Sequence, residues 1–334
     1  MEIRKHLHIV RRQKKVDWTQ FLCGIPERDY IFQKEPYEEQ ITQASAYLKE
    51  ADHVLIGAGA GLSAAAGLTY SGKRFQENFS DFIKKYGLQD MYSAGFYPFQ
   101  TEEERWGYWC RHSYVNRIKP PALPLYQQLF DLVKEKDYFV LTTNVDHQFQ
   151  KAGFSEERIF ATQGDYGRIQ CMKGCHPRTY DAVSMFAQMV QAEKDCKIPS
   201  YMVPKCPVCG GPMAMNLRCD QYFVEDEQWN EAAENYGNFL KDMKKQLPDT
   251  RFVVCSVFIP QQSVLAKKPA MANIPKMNEA LKKLCEDNGW TYIDTNPLLT
   301  DKYYEPDHIH TNKEFHKLWL SYAASETGLL SLEG

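Results

Sequence analysis

The stretch HVLIGAGAGLSAAAGL, residues 53–68, sets an apolar run against a glycine-rich turn and then a run of small, helix-forming residues. Val54 to Ile56 reads as a short buried strand, and a helix is expected to begin near Ser63. Gly57, Gly59 and Gly61 fall between the two. Glycines there permit a tight turn, let the backbone approach a phosphate, and leave N–H groups and the positive end of the helix dipole facing it. Ala64, Ala65 and Ala66 allow close packing of that helix on a sheet. The acidic residue that usually follows such a turn at the end of a second strand is missing, which disfavours an ordinary dehydrogenase.

Working outward, YEEQITQASAYLKEAD (37–52) places Ile41, Ala44, Tyr47 and Leu48 at helical spacing. A second strand is expected in YFVLTTNVD (138–146), after the amphipathic helix PLYQQLFDLVKEK. Strand and helix alternating in this way imply an α/β fold with a parallel, doubly wound sheet. Between 171 and 219 the texture changes to cysteine, proline and glycine with little periodicity, as in an inserted small module. From about 230 the alternation returns: helix WNEAAENYGNFLKDMKKQL, strand RFVVCSVFI, helix MNEALKKLCEDNG, strand TYIDT and a last helix from Lys313.

The inserted module carries two close cysteine pairs, Cys171-x3-Cys175 and Cys206-x2-Cys209, the second in CPVCGG. Each pair supplies two thiolates from one turn, and four thiolates in a tetrahedron suit zinc. With all four positions taken by sulfur, none is left for water, so the expected metal is structural. Cys196 and Cys219 lie nearby at spacings that fit ordinary core or spare thiols.

The 334 residues are 43% hydrophobic and 25% charged, the composition of a folded globular chain, with room for two domains. A net charge of −3 gives no general reason to bind nucleic acid, and the basic cluster RRQKK at 11–15 reads as a solvated N-terminal arm. No run approaches the roughly 20 apolar residues of a membrane span, and the N-terminus lacks the apolar centre of a signal peptide. A cytoplasmic protein without a membrane partner is therefore expected, with its ten cysteines serving as buried small residues and metal ligands.

The order of these pieces resembles the sirtuin family: Gly59-Ala60-Gly61-Leu62-Ser63 followed by Gly67-Leu68, then TTNVD (142–146), QG (163–164) and the two cysteine pairs. Sirtuins consume NAD and combine a Rossmann-like domain with a small zinc module. The resemblance spans about residues 37–240. It implies that Gly59, Ala60, Gly61 and Ser63 hold the NAD phosphates, with Phe75 and Thr143 also lining the cofactor. It further implies that Asn144 and Asp146 hold the nicotinamide and its ribose, and that Asn144, Asp146 and Gln163 form the catalytic set.

Two departures sharpen it. The family's Pro-Asp-Phe-Arg is replaced by Thr69-Tyr70-Ser71-Gly72 followed by Lys73-Arg74-Phe75, and its usual histidine is Gln163. GLTYSGKRF, TTNVDHQF and TQGDYGR look like the macrodomain-linked class, which resembles ADP-ribosyltransferases more than deacetylases. That class implies a protein acceptor, a lipoylated relative of the glycine-cleavage H protein, and a macrodomain partner that removes the modification.

The chemistry points the same way. Cleaving nicotinamide from ribose creates a cationic, oxocarbenium-like centre that needs a positioned ribose and a dry pocket. Deacetylation also needs a base to deprotonate a ribose hydroxyl, and glutamine cannot take a proton. His147, beside the Asn-x-Asp step, is either a substitute base or a residue that packs or faces solvent.

After NLRCDQYFVEDEQW the family's LELGVGFNTP-like strand and turn do not appear. LPDTRFVVCSVFIP and TYIDTNPLLTDKYYEPDHIHTNKEF instead resemble the end of an SGNH/GDSL hydrolase, whose Asp-x-x-His would be Asp307 and His310. That fold's Gly-Asp-Ser block is absent, and the GDY at 164–166 offers no aliphatic hydroxyl, so an inactive remnant is expected there. The expected organisation is a basic arm (1–36), a Rossmann-like NAD domain (37–165), a zinc module (166–220), a return helix (221–245) and an α/β tail (246–334). Three other readings stay open: an NAD-dependent deacetylase or deacylase, an inactive NAD- or protein-binding module, and an SGNH-type esterase.

Overall fold

The computed structural model describes residues 37–248, 252–265, 269–304, 308 and 311–327. The basic arm expected at 1–36, and both Asp307 and His310, lie outside the described residues. Contacts divide the chain into two units, Leu48–Leu247 and the remainder. Among the described residues no helix is long and apolar enough to cross a membrane.

The larger unit is built on a parallel sheet of three strands in the order β1-β2-β3: β1 (His53–Ala58), β2 (Asp137–Thr142) and β3 (Ile159–Ala161). Helix α1 (Tyr37–Glu50) leads into β1, and α2 (Ala60–Ala65) leaves it through the glycine turn. The central strand β2 alternates its side chains between two helical layers, as the period of two requires. Tyr138 and Val140 pack with Tyr126 and Val133 of α6 (Pro124–Val133) and with Phe149 of α7 (Gln148–Lys151). On the other face Phe139 and Phe160 pack with Phe239 of the long helix Glu227–Gln246. Both faces are therefore covered, which is what a parallel sheet needs.

Two local expectations change. Strand β1 is only half-buried, with Leu55 41% exposed, because among the described residues it pairs with β2 alone and forms the sheet's edge. Helix α2 starts at Ala60, three residues before Ser63, so the glycines sit partly inside its first turn.

Between β1 and β2 the chain also forms α3 (Lys73–Tyr86), α4 (Met91–Ala94) and α5 (Glu102–Ser113), the last continuing into a wider π-helical turn, Tyr114–Ile118. They enclose an aromatic cluster of Phe75, Phe79, Phe82 and Tyr108. After β3 comes a second, antiparallel sheet in the order β5-β4-β6: β4 (Gly164–Cys171), β5 (Thr179–Asp181) and β6 (Met213–Leu217). Helix α8 (Val183–Ala192) lays Phe186 and Met189 over its core against Trp106 of α5. The long helix, α9, then closes the unit.

The smaller unit contains a separate β-α-β element. Strands β7 (Val253–Cys255) and β8 (Thr291–Ile293) are parallel neighbours, joined through α10 (Gln262–Leu265) and α11 (Ile274–Asn288). Helix α12 (Lys313–Glu326) follows β8. The buried Ser256, just past β7, bonds Thr295 Oγ1 at 3.1 Å and accepts from the side-chain amide of Asn296 at 2.9 Å.

Candidate active site and metal centre

The C-terminal ends of parallel strands are where such sheets place their ligands. Here the loops after β1, β2 and β3 bring the glycine turn, TTNVD and Gln163 to one edge. Thr142 Oγ1 and the Thr143 N–H both donate to the carbonyl of Ala58, at 3.0 and 3.1 Å, locking the end of β2 onto the glycine turn.

A directional chain of hydrogen bonds joins the two loops. Asn144 gives one amide hydrogen to the Gly59 carbonyl at 3.0 Å and the other to the Tyr126 hydroxyl at 3.2 Å. Ser63 donates to Asp146 Oδ2 at 2.5 Å, so its oxygen must accept from the Tyr126 hydroxyl, 2.8 Å away. Asp146 Oδ1 accepts the Gln148 N–H at 3.1 Å. Asp146 is 4% exposed and both its oxygens are occupied, so it acts as an anchor for the loop. Burial raises its carboxyl above the usual range, against the pull of the Ser63 and Gln148 donors. Burial, with the Asp146 charge nearby, also pushes the Tyr126 phenol up to about 12, against the pull of its Ser63 and Asn144 hydrogen bonds.

The glycine turn itself is open. A Cβ built on Gly57 or Gly61 meets nothing within 4 Å, and one on Gly59 only touches Thr143 Oγ1 at 3.5 Å. Gly59 is extended, with φ −135°. Neither backbone strain nor packing within this chain calls for glycine at Gly57 or Gly61.

A small recess is lined by Asn144, Asp146, His147, Gly164 and Asp165, among others. Gln163 directly precedes Gly164 and is half-buried, its carbonyl accepting the Arg218 N–H at 3.1 Å. Gly164 is obligatory there: its φ is +93°, and a Cβ would lie 2.0 Å from the Asn216 carbonyl oxygen. Phe75 sits elsewhere, 2% exposed and stacked on Phe79 at 5.6 Å within the aromatic cluster.

No spacing or motif singles out Asp165 and Arg117. Asp165 accepts from Arg117 Nε at 2.6 Å and lies 3.0 Å from His147 Nδ1. Burial would raise this carboxyl, but His147 and the Arg117 guanidinium outweigh it and hold it down to about 2. The register of β4 against β6 slips between Gly164 and Ile169, a bulge that accompanies this arrangement.

At the other end of β4, Cys171, Cys175, Cys206 and Cys209 converge, with their sulfurs all within 4.8 Å of one another. Cys171–Cys209 and Cys175–Cys206 are 3.7 and 3.6 Å apart. A disulfide would need about 2.05 Å. Zn–S bonds of about 2.3 Å in a tetrahedron put sulfurs about 3.8 Å apart, so this set fits a four-thiolate zinc ion. Burial pushes the Cys171 thiol up, but backbone donors at Cys175 and Lys173 and the neighbouring thiols pull it to about 6, toward the thiolate a metal binds. Cys196 is buried in the aromatic cluster and Cys219 is exposed; neither joins the four.

No family model matches the chain. Over 195 residues, 58% of its length, it is 39% identical to a Staphylococcus aureus protein named protein ADP-ribosyltransferase, covering 62% of that protein. Over 196 residues, 55% of its length, it is 35% identical to a Fusarium oxysporum f. sp. cubense protein named probable bifunctional ADP-ribose hydrolase/ADP-ribosyltransferase, covering 32% of it. The chain thus spans less than two thirds of either relative. Both names carry the word ADP-ribosyltransferase, the activity that the motif resemblance implies. Among solved structures, a Sir2 homologue in complex with NAD overlaps at a TM-score of 0.40 and 15% identity, covering 91% of this chain and 100% of the other. An overlap that loose locates no ligand here.

Proposed function

We propose that this chain is an NAD-dependent, sirtuin-type protein ADP-ribosyltransferase. One observation carries the reading: the Asn144–Tyr126–Ser63–Asp146 chain ties TTNVD to a glycine turn with open space beside Gly57 and Gly61. The turn from Gly59 to Ser63 would receive the pyrophosphate on backbone N–H groups at a helix N-terminus, where negative charge is favoured. Asn144 spends both amide hydrogens inside the protein, leaving its carbonyl oxygen as an acceptor for nicotinamide or ribose. Thr143 and Gln163 border the same edge. NAD supplies the ADP-ribosyl group and a leaving group that departs neutral; the protein's part is to fix the ribose and exclude water.

Gln163 can donate to or accept from the ribose but cannot remove its proton, so transfer to an external acceptor is favoured over deacylation. The acceptor in this reading is a lipoylated carrier related to the glycine-cleavage H protein, with a macrodomain protein reversing the modification. Residues 37–165 and 221–245 form the NAD domain, 166–220 the zinc module, and the tail from 246 is non-catalytic. The transferase names of the Staphylococcus aureus and Fusarium oxysporum relatives support the ADP-ribosyl transfer itself.

The test is an NAD thermal-shift titration on the full chain, followed by transfer of labelled ADP-ribose to a lipoylated carrier. Stabilisation by NAD and label on the carrier are expected. A chain that neither binds NAD nor labels the carrier overturns the proposal.

A further inference from the structure

We infer that His147, oriented by Asp165, is the base that takes the acceptor's proton during ADP-ribosyl transfer; this rests on the function proposed above. The geometry has the form that turns an imidazole into a base. Asp165 is acceptor-only when ionised, so the 3.0 Å contact places the ring proton on His147 Nδ1 and leaves Nε2 with the lone pair. No hydrogen-bond partner of Nε2 occurs among the described residues, and the ring lines the same cleft as Asn144 and Asp146. His147 is held in the left-handed region, at φ +63°, a conformation that most side chains avoid.

The supporting shell is equally specific. Arg117 pins Asp165 through Nε at 2.6 Å, and the Gly167 N–H donates to the same oxygen at 2.5 Å. A Cβ on residue 167 would lie 2.4 Å from Arg117 Nε, so glycine there is what lets the guanidinium reach the carboxylate. The charged groups around His147 are Asp165 on β4, Arg117 on the π-helical turn, Asp146 one residue before it and Lys151 at the end of α7. Lys151 donates to the Pro120 carbonyl at 2.6 Å and is committed to capping that turn. Asp165 is thus shared between one permanent cation and one group that can gain and lose a proton.

In the step proposed, the acceptor's heteroatom bonds to the ribose C1′ as the bond from C1′ to nicotinamide breaks. That bonding pair goes to the nicotinamide ring nitrogen, which becomes neutral. The acceptor's proton moves to His147 Nε2 and leaves from there to solvent. This supplies, for an external nucleophile, the proton acceptor that Gln163 cannot be.

The experiment measures nicotinamide release from NAD by the full chain between pH 5 and 9, with water, methanol or azide as nucleophile, for the wild type and His147→Asn. Asparagine tolerates the left-handed backbone and keeps a donor toward Asp165 while removing Nε2. With water or methanol the wild-type rate should be higher at pH 9 than at pH 5, as for a step that needs a proton acceptor. In His147→Asn it should fall about 100-fold and lose that difference. Azide needs no deprotonation, so it should restore the variant to within about tenfold of the wild type, with the NAD thermal shift unchanged. Equal rates and pH profiles for the two proteins overturn the inference, and so does a slow variant that azide fails to rescue. A wild type that binds no NAD overturns the function itself.

Discussion

The hydroxyl of Ser63 donates to Asp146 Oδ2 at 2.5 Å, joining the first turn after β1 to the loop after β2 across 83 residues of sequence. Neither side chain is more than 5% exposed, and together they fix where Asn144 sits. Ser63→Ala leaves a buried carboxylate short of its strongest donor, a change that costs on the order of 1–3 kcal/mol. It should also drive the Asp146 carboxyl further up, since that hydrogen bond is the largest of the pulls that oppose burial. Denaturant unfolding and NAD titration on the same variant check this: lower stability together with weaker NAD binding is expected. Unchanged NAD affinity would show that the linkage is structural only.

Glycine-to-alanine changes should separate fold from ligand at two positions. Gly61 lies within α2 with open space where a Cβ would go, so Gly61→Ala should leave stability unchanged or raise it by roughly 0.5–1 kcal/mol. NAD affinity should nevertheless drop, because the methyl occupies the face assigned to the pyrophosphate. Gly164→Ala collides with the Asn216 carbonyl from a left-handed backbone and should cost more than about 3 kcal/mol. A Gly61→Ala protein with undiminished NAD binding would remove the phosphate role from this turn.

Much of this site could be read in the sequence, because its parts announce themselves locally. The apolar run before Gly57, the 3.6-residue period of Pro124–Val133 and the paired cysteines each carry a short-range signature. What escaped depends on contacts between distant residues. The burial of β1 failed because edge position is a property of the sheet order, which Val54–Ile56 cannot encode alone. Phe75 belongs to an aromatic cluster drawn from α3, α4 and α5, a region whose helices lacked clear motifs. The partnership of His147 with Asp165 spans 18 residues and depends on a bulge in β4, so nothing in the spacing marked it.

Asp165 also makes an acid-stability prediction. Its folded-state carboxyl, at about 2, lies below its ordinary 3.8, so the native state holds fewer protons there than the unfolded chain. The stabilisation, on the order of 2 kcal/mol, is fully present above about pH 4 and is lost as pH falls toward 2. Asp165→Asn should therefore lose stability at neutral pH and show a shallower decline between pH 4 and 2 than the wild type. Parallel acid-unfolding curves for the two proteins would contradict the assignment.

The four-cysteine site predicts a metal-dependent fold. One equivalent of zinc per chain is expected by elemental analysis, and Cys171→Ser or Cys206→Ser should abolish it. Both cysteines are buried, and stripping the ion leaves thiolates crowded at 3.6–3.7 Å, so the loss should reach several kcal/mol. Because the one strand β4 spans Gly164 to Cys171, the effect should travel to the cleft: nicotinamide release should fall although no zinc ligand touches it. Full activity in a zinc-free protein would sever that link.

In the proposed reading Gln163 is what favours transfer over deacylation. Imidazole titrates near neutrality and can accept a ribose proton, whereas the amide can only orient the hydroxyl. Gln163→His should accordingly gain turnover of an acetyl-lysine peptide that the wild type lacks, measured as acetate-linked ADP-ribose. The backbone there is anchored by the Arg218 N–H to the Gln163 carbonyl, and the loop is pinned by Gly164 against Asn216, so the substitution should leave the turn in place. Gln163→Ala, which would remove the proposed ribose contact without adding a base, should weaken transfer and give no deacylation. Efficient deacetylation by the wild type would show that another group in the cleft deprotonates the ribose, and that the glutamine does not decide the reaction.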